Sequence, residues 1–78
     1  MNEIEIKFMA LLIVENIRKK VDLRLIYTIC HDKCENMDID LFFELYYLYS
    51  QRESLQDQLD SINRIIDFKI KKDQHYEN

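Results

Sequence analysis

Leu41–Ile66, LFFELYYLYSQRESLQDQLDSINRII, is the stretch that decides the fold. Leu41, Leu45, Leu48, Arg52, Leu55, Leu59, Ile62 and Ile66 follow one another at steps of four and three. That spacing keeps one helical face turned toward a partner helix. Neither glycine nor proline interrupts it, so it predicts one helix over residues 40–70, about 45 Å long at 1.5 Å per residue. The two halves differ. Phe42, Phe43, Tyr46, Tyr47 and Tyr49 make the first half apolar or aromatic nearly all round, as in a core several helices thick. Residues 50–64 are polar outside the seam and suit a narrower helix–helix contact. Arg52 breaks the aliphatic row. A polar residue there either fixes register and oligomer state or bends outward with its stem packed.

Working toward the N-terminus, the apolar pattern pauses over residues 36–40. Asn36 suits the left-handed conformation that ends a helix, and Asp38 or Asp40 can cap the next one. Upstream, Asn2 can cap a helix whose first turn carries Glu3 and Glu5, the sign favoured by the helix dipole. Ile6, Met9, Ala10, Ile13, Val14, Ile17 and Val21 share one face, while Leu11 and Leu12 lie outside it, which predicts burial on more than one side. A second stripe, Leu23, Ile26, Cys30, Cys34 and Met37, restarts after Asp22. Residues 3–35 therefore read either as one bent arm or as two helices broken near Asp22.

The expected fold is all-α: an antiparallel helical hairpin turning at 36–40, with a long C-terminal helix and a frayed tail over 73–78, in a single domain. Folded this way, Arg18, Lys19 and Lys20 meet Glu53, Asp57 and Asp60, and Glu3 and Glu5 meet Lys69, Lys71 and Lys72. Exposed ion pairs contribute only about 0–1 kcal/mol, so the match selects direction more than it stabilises.

Composition narrows the function. The chain has 78 residues, no glycine and no proline, which rules out Gly-rich phosphate loops and tight primed hairpins. Its net charge of −4 is the reverse of the usual nucleic-acid footprint, although Arg18, Lys19, Lys20 and Arg24 form a local basic patch. The longest apolar run, Phe8–Val14, is too short to span a membrane, and Glu3 and Glu5 precede it where a signal peptide would be basic. A cytoplasmic protein with reduced thiols is expected. Cys30 and Cys34 sit four apart and supply at most half of a zinc site, so buried thiols are the simpler expectation and no cofactor is expected. His31 follows Cys30 directly and points about 100° away from it on a helix, too far round to share a proton.

The residues form no signature that identifies a family. They predict a small non-enzymatic module that binds protein: a regulator, inhibitor or co-chaperone. The candidate contact residues are Leu41, Leu45, Leu48, Arg52, Leu55, Leu59, Tyr47 and Tyr49. A homodimer is the first expectation, because a two-arm hairpin leaves apolar surface uncovered; a different obligate partner is the second, and a three-helix monomer bent at Asp22 the third. The alternative function is nucleic-acid-associated regulation through Arg18–Arg24.

Overall fold

A computed structural model describes the backbone of residues 1–77 and the side chains of residues 1–72. It contains three helices: α1 (Glu3–Arg18), α2 (Leu23–Lys33) and α3 (Ile39–Glu77). No strand occurs among the described residues. The last helix continues through Glu77, past the expected end at 70, while Asn78 and the side chains of the expected frayed tail lie outside the described residues.

The caps follow from the side chains at the helix starts. Asn2 Oδ1 accepts from the Glu5 N–H at 2.8 Å, and Asp38 Oδ1 from the Leu41 N–H at 3.1 Å, satisfying amide groups that have no partner within the first turn. Asp22 occupies the cap position of α2, where its backbone carbonyl rather than its side chain is used, accepting from the Ile26 N–H at 3.0 Å. Asn36 takes φ 54° in the turn before α3, the left-handed role expected of it.

The break near Asp22, one of the two readings of residues 3–35, is observed; the backbone geometry that makes it was not legible in the sequence. The Lys20 N–H donates to Ile17 O and the Val21 N–H to Asn16 O, both at 3.0 Å, and Lys20 sits at φ 62°. This is a Schellman ending with lysine where glycine normally stands. Lys20→Gly should relieve the left-handed strain and raise stability by about 0.5–1 kcal/mol, read as a higher urea midpoint. The Lys20–Asp57 pair it removes spans 4.0 Å with both side chains largely exposed, so its loss should not cancel the gain.

That turn sends α2 back along α1 and places Lys33–Asn36 beside Glu5 and Phe8. The next helix then returns in the direction of the first. The Asp38 N–H lies 3.4 Å from Met1 Sδ, Arg18 Nε lies 3.0 Å from Glu53 Oε1, and Lys20 approaches Asp57. Partner numbers rise together along the two helices, so α1 and α3 are parallel. Of the two readings of residues 3–35, the break near Asp22 therefore holds. What is corrected is the direction, since the chain reverses after Arg18 and α1 runs parallel rather than antiparallel to α3. Arg18 and Lys20 meet the acids expected of them, whereas Glu3 pairs with Lys7 at 3.1 Å on its own helix. The same basic cluster reaches Glu53 and Asp57 in either direction, so charge matching did not determine the direction.

Met9 and Ile13 from α1, Ile26 and Cys30 from α2, and Phe42 from α3 are fully buried, with Cys34 nearly so. Tyr27 meets the edge of Phe42 at 5.4 Å and stacks on Phe43 at 6.2 Å, joining α2 to the start of α3. The packed part, called the head below, ends near Glu53. Every residue from Ser54 to Lys72 is exposed. The remainder of α3, the stalk, projects from the head and gives the molecule extents of 64 × 23 × 16 Å.

Candidate interaction surface

The stalk carries the apolar row whose spacing decided the fold. Leu41 and Leu45 are half-buried against the head core. Leu48, Leu55, Leu59, Ile62 and Ile66 are between 48% and 64% exposed, and Ile70 extends the row at 51%. Among the described residues nothing covers the row below the head. Sequence spacing identified it down to Ile66 but not Ile70, which follows by a second step of four and falls outside the strict heptad.

The head divides the remaining candidates. Phe42 is buried and Tyr46 half-buried, so both turn inward, while Tyr47 is 69% exposed. Tyr49, expected to meet a partner, instead packs against the head core and lies 4.6 Å below the Arg52 guanidinium. Arg52 therefore bends out of the leucine row. Leu11 was expected to be buried and is 62% exposed, because α1 is covered by α2 and α3 on one side only; Leu12 is half-buried.

Between α1 and α3 lies a groove of about 430 Å³ lined by Lys7, Ala10, Leu11, Val14, Arg18, Tyr49 and Arg52. It depends on the parallel contact of the two helices, which the sequence did not reveal. The basic patch gathers at the α1–α2 joint. Arg18 is held by Glu53 and Lys20 faces Asp57, while Lys19 and Arg24 are exposed.

Cys30 and Cys34 are free thiols in the core. Burial pushes the Cys30 thiol up from 9.0 to about 11, with Cys34 adding to the effect. Burial and then the charge of Glu5 also raise Cys34. Zinc needs thiolates, and these surroundings oppose them. No group of three or more His, Cys, Asp or Glu side chains able to hold a metal occurs among the described residues. His31 is exposed and stacks on Tyr27 at 5.9 Å.

A raised thiol pKa means that the unfolded state releases its proton first. Stability contributed by Cys30 is complete below about pH 9 and is lost as pH rises toward about 11. Urea midpoints should fall over that window, and the fall should be shallower in a Cys30→Ala variant.

No helix among the described residues is long and apolar enough to cross a membrane. No protein-family model, curated protein or solved structure matches the chain.

Proposed function

We propose that the protein is a non-enzymatic binding module, a regulator, inhibitor or co-chaperone, that works through helix–helix contacts and self-associates through α3 into a dimeric helical bundle. The observation that carries this reading is the exposed row that starts at Leu48 on the head and continues through Leu55, Leu59, Ile62, Ile66 and Ile70 on the stalk, which no other helix covers among the described residues. Burying the exposed half of each such side chain is worth about 1 kcal/mol, so two facing rows supply roughly 12 kcal/mol. Association costs about 4–15 kcal/mol, so this row is large enough to matter. Most helical stability in proteins comes from packing of an apolar face, which the stalk lacks among the described residues, and this gives a second reason for it to acquire a cover.

Gln51, Gln56, Gln58 and Asn63 flank the row. Uncharged flanks leave apolar contact as the main source of affinity, and association should weaken little with salt. Sedimentation equilibrium tests the proposal: a mass near twice the 9.6 kDa chain is expected, nearly unchanged by salt.

The nucleic-acid alternative rests on Arg18, Lys19, Lys20 and Arg24. Its support is weaker, because Arg18 and Lys20 are directed to Glu53 and Asp57. It predicts oligonucleotide binding at about 50 mM salt that fades steeply as salt rises.

A further inference from the structure

We propose that the groove between α1 and α3 docks an acidic amphipathic helix of another protein. Arg52 is the starting observation. It breaks the leucine row, and its guanidinium lies over the Tyr49 ring at 4.6 Å, at the rim of the groove. The ring face attracts the cation without neutralising its charge. Ala10, Leu11, Val14 and Tyr49 form an apolar floor, with Lys7 toward one end and Arg18 and Arg52 toward the other. Glu3 pairs with Lys7 and Glu53 with Arg18 beside the groove, and Arg52 is the lining cation with no carboxylate partner among the described residues.

Length and charge together specify the occupant. From Lys7 to Arg18 the groove follows α1 for about 16 Å, three helical turns. A helix laid there sets apolar side chains at i, i+3/i+4 and i+7 onto the floor. Acidic side chains bordering that stripe then meet Lys7 at one end and Arg18 and Arg52 at the other. A polynucleotide fits less well. Its affinity comes from many phosphate contacts, whereas three cations border this groove and its floor is apolar. A second copy is also a poor occupant. Its own Glu53 and Asp57 face Arg18 and Lys20 of the same chain, and the end of its stalk brings Lys69, Lys71 and Lys72. The groove lies on the head, and only Arg52 borders the stalk row as well, so this inference does not depend on self-association.

Two synthetic helical peptides test it, each with leucines at i, i+3/i+4 and i+7, one flanked by glutamates and the other by lysines. Fluorescence anisotropy is read against the full chain at about 50 mM salt. The glutamate peptide should bind and the lysine peptide should not. Lys7→Glu combined with Arg52→Glu should weaken binding about tenfold or more, and Arg52→Met, which keeps the stem, should weaken it several-fold. Leu11→Ser should weaken it through the floor. Lys7, Leu11 and Arg52 are all exposed, so the variants should fold, which circular dichroism checks. Sedimentation of the same samples reports self-association separately. Equal binding of both peptides, no binding of either, or indifference to the charge reversals would overturn the proposal. Binding of a single-stranded oligonucleotide that the reversals abolish, without glutamate-peptide binding, would reassign the groove to nucleic acid.

Discussion

Phe42→Ala is expected to unfold the head. Phe42 is fully buried and meets Tyr27, Phe43 and Tyr46 with ring centroids 5.4, 5.2 and 6.4 Å away. Removing a buried phenylalanine ring costs about 3–5 kcal/mol through lost transfer energy and the cavity left behind. A head of this size has a total stability on the order of 5 kcal/mol, so the loss consumes most of it. Urea unfolding followed by circular dichroism should show a midpoint near zero denaturant. Tyr47→Ala is the matched control. Tyr47 is 69% exposed, and the change should stay within about 0.5 kcal/mol. A Phe42→Ala chain that unfolds like the parent would mean that the three-helix core is packed differently.

Leu59→Glu combined with Ile62→Glu should have the opposite profile. These side chains are 50% and 54% exposed and touch nothing in the head. Glutamate is also a good helix former, so a monomer should tolerate both changes. In a paired stalk, each carboxylate would be buried without a partner, which costs several kcal/mol. The expected result is a mass near the 9.6 kDa chain, an unchanged melting transition for the head, and reduced helicity from the stalk. A variant that retains the dimer mass would place the interface elsewhere on the molecule.

These two changes separate what the sequence disclosed from what it hid. Short-range signals were legible. Asn2 and Asp38 cap helices, Asn36 takes the left-handed turn position, and the row from Leu41 to Ile66 lies along one uninterrupted helix. These depend on spacing and on backbone amides within four residues. The break near Asp22 was among the readings, but the tight turn that makes it a full reversal was hidden because lysine carries no turn signature, yet Lys20 takes the left-handed conformation there. In a chain without glycine, some other residue must accept that strain.

The direction of α1 against α3 was hidden for a different reason. Arg18 and Lys20 find Glu53 and Asp57 in both the parallel and the antiparallel arrangement, so the ion pairs carried no directional information. Glu3 and Glu5 were the residues able to discriminate, and Glu3 is satisfied locally by Lys7. The groove holding Arg52 depends on that direction. Tyr49 is a local neighbour of Arg52 three residues earlier on α3, but only the position of α1 adds Leu11 and Val14 to its surroundings.

Amide hydrogen exchange across residues 55–70, measured over a dilution series, tests the central claim most directly. If the stalk remains helical because a second copy covers its apolar row, those amides should be protected at high concentration. Protection should then fade on dilution, while the head amides around Ile13, Ile26 and Phe42 stay slow. Fast exchange along the stalk at every concentration, beside a protected head, would contradict the account.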